Sequence, residues 1–328
     1  MSLRIGVVMD PIATIKPAKD TTLALLLEAQ RRGWALFYME LGDLYLIDGQ
    51  PWARQRPLKV QDDLHHWFDL TPGTDVPLTE LDVILMRKDP PFNMEYIYAT
   101  YVLERAQLAG TLVVNRPESL RDVSEKAYTA WFPECCPPTM IARDMTRLRR
   151  FITDQGEAVI KPLDGMGGAS IFRTRGDDPN LSVILETLTD HGHRFAMAQR
   201  YLAAIAEGDK RILLMDGMPV PYALARIPAP GEARGNLAAG GRGEGRPLTD
   251  RDYWICDQVG PVLRKKGLLF VGLDVIGDSL TEINVTSPTC VRELDRQFGL
   301  NIAGLLMDAI ERQLNPAPHA AAPLSLIH

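Results

Sequence analysis

Cysteine is scarce, and a surplus of positive charge is missing. The four cysteines, Cys135, Cys136, Cys256 and Cys290, form no Cys-x-x-Cys pair, and no histidine stands near them at zinc-ligand spacing. A structural zinc finger and a thioredoxin-type redox pair are therefore excluded. Neighbouring Cys135 and Cys136 would bridge only with strain, so four reduced, structural thiols in a cytoplasmic protein are expected. Lys and Arg number 36 against 42 Asp and Glu, a net charge of −6, which speaks against a nucleic-acid binder. No run approaches the ~20 apolar residues of a membrane span. The apolar run near the start meets Asp10 too early for a signal-peptide core. The six histidines find no nucleophile to serve, Ser170 and Ser287 belong to no evident triad, and no segment repeats. A Gly-Lys-Ser/Thr P-loop and the Rossmann glycine fingerprint are both absent.

What is present is an alternation of short β-rich runs and helical spacings. Arg4–Met9, Ala35–Glu40, Leu81–Met86 and Gly110–Asn115 read as strands, with helices over Thr21–Arg32 and Glu95–Ala109. Strands alternating with helices imply a largely parallel sheet. Residues 48–80, broken by Pro51, Pro57, Pro72 and Pro77, read as an excursion with a short hairpin. Beyond Asn115-Arg116-Pro117 the pattern changes. A helix over Ser124–Trp131 carries Lys126, and a basic helix follows over Met145–Ile152. Strands over Ala158–Lys161, Ala169–Arg173 and Phe195–Leu202 enclose a helix over Pro179–Leu188. Asp209–Met215 and Val220–Ile227 form an antiparallel pair around Asp216-Gly217. A helix over residues 250–266, strands over Leu268–Ile276 and Leu280–Val285, and a helix over Ile302–Leu314 complete the chain.

Three groups could carry chemistry. In IKPLDGMGGASIF, Lys161 ends a strand and Gly165, Gly167 and Gly168 follow. Glycine lets backbone N–H groups curl around an anion, although a hairpin with a solvent lysine would read the same way. Because a strand follows, the loop would cover a phosphate as a hairpin rather than cap it with a helix. Second, in GLDVI…LTEINV a three-residue loop at Gly277–Ser279 would set Asp274 across from Glu282. Strand alternation puts Asn284 on the same face as Glu282. Two carboxylates and an amide oxygen are hard ligands suited to Mg²⁺ bridged to phosphates; the alternative is a solvated polar face. Third, Lys210, Arg211, Arg226 and Arg234 cluster around the strands that lead to a glycine-rich stretch, Gly231–Pro247, that reads either as a floppy loop or as a lid over an anionic site.

These groups together resemble the ATP-grasp ligases. MDPI, LMRKDPPFNMEYIYATY, KPLDGMGGASIF, GDKRILL, RIPAPGEARGNLAAGGRGE and LTEINVTSPTC, in that order, are similar to the bacterial glutathione synthetases up to about Leu314. The ATP-grasp elements alone give only the superfamily; MRKDPPF, NLAAGGR and NVTSPT point to this family within it.

The resemblance implies an α/β and α+β chain: a Rossmann-like N-terminal domain over residues 1–122, then a two-lobed ATP-grasp fold. Its central lobe spans 123–202 and its C-terminal lobe 203–314, with a large lid at 228–247 and a disordered tail at 315–328. It implies ATP as substrate and Mg²⁺, one ion or two, with Mn²⁺ as a substitute. γ-Glutamylcysteine and glycine are the other substrates, and the assembly is a cytoplasmic homotetramer. Lys126 and Lys161 match nucleotide lysines, and Gly165, Gly167 and Gly168 the small phosphate loop. Gln199, Tyr201 and Leu202 match the strand beside adenine, and Asp209 a ribose contact. Asp274, Glu282 and Asn284 match the metal ligands. Arg211, Arg226 and Arg234 match the residues that hold the acceptor carboxylate and the developing charge. Arg87, Arg226, Asn284, Ser287 and Thr289 match the peptide site. Two rivals keep the same fold: a ligase for another acceptor, of the glutamate or D-alanine type, and a nucleotide-binding regulator without turnover.

Overall fold

A computed structural model describes residues 2–165, 168–229 and 241–315. The first unit is built on a sheet of eight strands: β1 (Arg4–Val8), β2 (Ala35–Met39), β3 (Leu44–Ile47), β4 (Gln50–Val60), β5 (Phe68–Leu70), β6 (Thr74–Pro77), β7 (Val83–Met86) and β8 (Leu112–Val114). Their order is β3-β4-β2-β1-β7-β8, with β5 and β6 both paired to β4. β1, β2, β7 and β8 are parallel to one another, as alternation with α1 (Thr21–Arg31) and α2 (Met94–Leu108) requires. Asp20 caps α1 by accepting from the Leu23 N–H, and Asn93 caps α2 through Tyr96. Residues 44–77 hold more order than the prolines suggest. β4 runs eleven residues with alternating burial and pairs antiparallel to β2. Pro51 and Pro57 both lie inside β4.

After α3 (Pro117–Asp122) the expected helix over Ser124–Trp131 is not α-helical. Ala127–Trp131 is a 3₁₀ segment, and Lys126 precedes it. Main-chain bonding explains the difference. The Glu125 carbonyl accepts from the Ile283 N–H at 2.8 Å, so it is spent outside any helix.

The central lobe is an antiparallel sheet of β9 (Thr139–Ala142), β10 (Glu157–Pro162), β11 (Phe172–Arg175) and β12 (Ala196–Arg200), ordered β11-β10-β12-β9. It is backed by α4 (Met145–Gln155) and α5 (Leu181–Thr189), and Ile152, Ile160, Leu185 and Ala198 form its own core. The C-terminal sheet, ordered β15-β14-β13-β16-β17, comprises β13 (Asp209–Met215), β14 (Met218–Ile227), β15 (Arg242–Pro247), β16 (Phe270–Ile276) and β17 (Ser279–Asn284). Helices α6 (Asp250–Lys265), α7 (Val291–Phe298) and α8 (Ile302–Leu314) accompany it. Its apolar residues do not form a separate core. Val7, Leu26 and Leu36 of the first unit pack in one cluster with Leu213, Leu306 and Met307. Asn115 fastens the two units. Its amide nitrogen donates to the Phe270 and Val285 carbonyls at 2.7 and 2.8 Å, and its oxygen accepts from the Phe270 N–H.

The stretch expected to be a lid over 228–247 divides. Residues 230–240 lie outside the described residues, whereas Arg242–Pro247 is β15, paired along β14. Its glycines serve packing: a Cβ on Gly245 would lie 2.3 Å from the Phe298 ring. The tail beyond Asn315 also lies outside the described residues.

Candidate active site

The β16–β17 hairpin aligns the carboxylates. The turn holds two residues, Gly277 and Asp278, and not three: Ile276 pairs with Ser279 and Val275 with Leu280. The register then shifts, and Asp274 pairs with Glu282 as the sequence suggests. The extra residue is Thr281, whose hydroxyl donates to the Asp274 carbonyl at 3.1 Å. A bulge thus restores the alignment that a longer turn was expected to give. Glu282 and Asn284 are partly exposed, and Ile283 between them is buried.

A cleft of about 450 Å³ opens where this hairpin meets the first unit. From the C-terminal lobe it is lined by Arg211, Arg226, Asp274, Glu282, Asn284, Ser287 and Thr289; Lys126, Gly165 and Arg87 close it from the other units. Asp274 is held between two guanidinium groups. Arg211 donates to it through both Nε and Nη2, the latter at 3.0 Å, and Arg226 Nη2 lies 2.8 Å away. Burial opposes the charge on Asp274, but the two arginines outweigh it and hold its pKa well below the usual carboxylate range. Room for Arg211 comes from Gly272: a Cβ there would stand 2.8 Å from the Arg211 Cδ.

Glu282 faces two ammonium groups, Lys161 Nζ at 3.4 Å and Lys126 Nζ at 3.7 Å. Against its burial, they lower its pKa. Lys126 also donates to the Gly165 carbonyl at 2.5 Å, which ties the glycine loop to the same spot. Gly168 is buried with φ +80°, a backbone state that favours glycine. Gly167 and Arg234 lie outside the described residues.

Other expected residues, Arg87 excepted, stand further off. Gln199 is buried on β12 and donates to Thr139 Oγ1 at 3.1 Å. The Tyr201 N–H donates to the Glu157 carbonyl, and the Arg173 guanidinium lies 3.9 Å from its ring centroid. Leu202 follows, half-buried. Asp209 pairs with the Arg226 side chain, so it completes a ladder Asp209–Arg226–Asp274–Arg211. Burial pushes the Asp209 pKa up against the pull of Arg226. Arg87 is buried, donates to Thr22 Oγ1 at 3.1 Å and to the Pro288 carbonyl at 2.8 Å, and so braces the loop that holds Ser287 and Thr289. Cys290 also lines the cleft, and burial pushes its thiol pKa up, as a packed neutral thiol requires.

Sequence reasoning missed the far wall: Lys16, Lys19, Asp20, Asp89, Glu125 and Glu293. Asp89 lies within MRKDPPF, and Asp20 left a signal as the N-cap of α1.

No group of three or more His, Cys, Asp or Glu side chains gathers as a metal centre among the described residues. Asp274, Glu282 and Asn284 nonetheless suit a hard cation. The Asn284 amide donates through Nδ2 to the Gly272 carbonyl, which leaves its oxygen for a ligand. So small a set of protein oxygens matches Mg²⁺ that is completed by phosphates and water.

Two sheets closing on lysines, arginines and paired carboxylates, with a glycine loop between, define an ATP-grasp ligase. Solved structures agree on the fold. D-cycloserine synthetase DcsG superposes with a TM-score of 0.66 over 95% of this chain and 99% of that one, at 16% identity. The ATP-grasp ligase PsnB, complexed with minimal precursor, Mg and ADP, gives 0.60 over 94% and 98%, at 17% identity. Residues 3–121 match the N-terminal domain of prokaryotic glutathione synthetase, and residues 125–299 its ATP-grasp domain. The glutathione synthetase of Pseudomonas syringae pv. tomato is 65% identical over 96% of this chain and 98% of its own length. That of Escherichia coli K12 is 60% identical over 95% and 99%. The chain belongs to the prokaryotic glutathione synthetase family, and it is an ATP-dependent carboxylate–amine ligase.

Proposed function

We propose that the chain joins glycine to the cysteinyl carboxylate of γ-glutamylcysteine, with ATP converted to ADP and phosphate through an acyl phosphate. The carrying observation is the convergence of Lys126, Arg211, Arg226, Asp274, Glu282 and Asn284 on one cleft whose far wall bears both signs of charge. Phosphoryl transfer of this kind needs positioning and charge neutralisation more than a nucleophilic side chain, and the cleft offers those.

In this reading Lys126 and Lys161 leave Glu282 for the phosphates of ATP, and Gly165, Gly167 and Gly168 cover them. Gln199, Tyr201 and Leu202 border the adenine, with Asp209 toward the ribose. Asp274, Glu282 and Asn284 would hold Mg²⁺, which would supply charge neutralisation to the phosphates. Arg211 and Arg226, aimed by Asp274 and Asp209, steady the acceptor carboxylate and the charge that develops on transfer; Arg234, outside the described residues, is a further candidate for that role. Arg87, Ser287 and Thr289 hold the peptide. The γ-glutamyl end carries an ammonium and a carboxylate. Lys16, Lys19 and Arg87 face the latter, and Asp20, Asp89 and Glu293 the former. The Glu293 Oε2 atom is buried without a hydrogen-bond partner, which suits an arriving ammonium group.

The division into residues 1–122, 123–202 and 203–314, a cytoplasmic location and a homotetramer belong to the same proposal. Among the described residues, no helix is long and apolar enough to cross a membrane. The test is incubation with ATP, Mg²⁺, γ-glutamylcysteine and glycine, with glutathione and phosphate both measured. Phosphate release only with a different acceptor would overturn the assignment.

A further inference from the structure

One half-buried carboxylate lining the cleft, Glu125, has no place in the phosphoryl chemistry. We propose that Glu125 is a positioning residue that fixes the acceptor-binding loop after β17 relative to the nucleotide lysine beside it. The inference rests on the ligase reading above and names a residue that reading leaves unused.

The geometry is specific. One Glu125 oxygen, Oε1, accepts three hydrogen bonds: from the Val285 N–H at 2.9 Å, the Thr286 N–H at 3.1 Å and the Thr286 hydroxyl at 2.8 Å. The Glu125 carbonyl accepts a fourth, from the Ile283 N–H at 2.8 Å. Residue 125 thus holds Ile283, Val285 and Thr286, which flank Asn284 and lead directly into Ser287 and Thr289. The next residue, Lys126, points to Glu282 and Gly165. Two adjacent side chains therefore grip the two halves of the site. Val285 and Thr286 are both buried, so water cannot replace the acceptor that Glu125 supplies. Val285 and Thr286 lie beyond the last residue of β17, so these N–H groups have no strand partner and depend on a side chain. A buried donor left without a partner is costly.

The test compares Glu125→Ala with Glu125→Gln, whose amide oxygen can still accept the backbone N–H groups. Acceptor KM, kcat, ADP affinity by calorimetry and amide exchange at Val285 and Thr286 are measured. Glu125→Ala should raise the KM for γ-glutamylcysteine and lower kcat, together by about 10- to 100-fold in kcat/KM. ADP affinity should stay within about threefold, because Lys126 and Lys161 remain. Glu125→Gln should recover most of the loss. Exchange at Val285 and Thr286 should quicken in the alanine variant and not in the α8 core. Unchanged acceptor kinetics in Glu125→Ala would overturn the proposal. So would a glutamine variant no better than alanine, or parallel losses of acceptor and ADP binding that track a smaller folded fraction. If Glu125→Ala does not fold, Thr286→Val, which removes one of the three donors, carries the test; it should raise acceptor KM about threefold, and no change would overturn the idea. Exchange at Val285 and Thr286 needs no substrate. A wild-type enzyme inactive on γ-glutamylcysteine and a missing Glu125 contact are therefore separate results.

Discussion

Glu282 and Gly272 show how differently single residues bear on the site. Glu282 meets two lysines and stands across from Asp274. Glu282→Gln keeps the shape and removes the charge. Turnover should fall on the order of 100-fold, with a higher Mg²⁺ requirement and an unchanged melting temperature; wild-type rates at limiting Mg²⁺ would remove Glu282 from the ligand set. Gly272 touches no substrate, yet it gives Arg211 the space to reach Asp274. Gly272→Ala should lower kcat by about tenfold or more through a displaced guanidinium group, with circular dichroism unchanged. The reason for Gly272 is not visible in the string GLDVI, since it depends on a side chain from the neighbouring strand. The Asp274–Glu282 pairing was visible, because strand alternation and a short turn bring those residues together. The bulge that achieves it was not.

At the level of elements, the joints between units carry stability. Asn115 satisfies three main-chain groups of the C-terminal unit. Asn115→Ala leaves them buried and unpaired, and should destabilise the fold by about 3 kcal/mol, read from chemical denaturation. A second joint lies where α1 meets α8. Arg32 reaches Asp308 and Glu311 from the end of α1 and is itself held by Glu28. The Arg31 hydrogen bond, with burial opposing it and Arg32 adding to it, lowers the Glu28 pKa from 4.5 to about 2. A depressed carboxylate pKa stabilises the fold above the unfolded value and is lost as pH falls through the folded one. Stability should therefore drop between pH 4.5 and 2. Because Arg31 is largely solvent-exposed, the Glu28 share is only about 1 kcal/mol. Melting temperatures of wild type and Glu28→Gln should converge at the acid end of that range; parallel curves would contradict the assignment. Neither joint follows from local pattern, since each links residues over 150 positions apart.

The whole molecule was legible in outline because its elements have clean periodicities. The parallel core of the first sheet, the helix at Ile302–Leu314 and the two-residue turn at Asp216-Gly217 all sit where the sequence puts them. Two features were hidden. The proline-marked stretch 48–80 is mostly sheet, because β4 pairs with several strands and tolerates prolines within its length. The first and last units share a core, a fact of packing that no local pattern encodes. If the proposed tetramer forms, sedimentation equilibrium should return four times the chain mass at micromolar concentration; a single chain mass would refute it.

The contacts of Lys126 and Lys161 with Glu282 also bear on the sequence of events at the cleft. Glu282 already has counterions of its own, supplied by the polypeptide. If Glu282 is a metal ligand as proposed, a bare divalent ion would have to compete with two tethered ammonium groups, of which Lys126 keeps a second partner in the Gly165 carbonyl. A polyphosphate gives those ammonium groups a new destination, and frees Glu282 as it arrives. The proposed function therefore predicts that nucleotide and cation load together, by an exchange of ion pairs at Glu282.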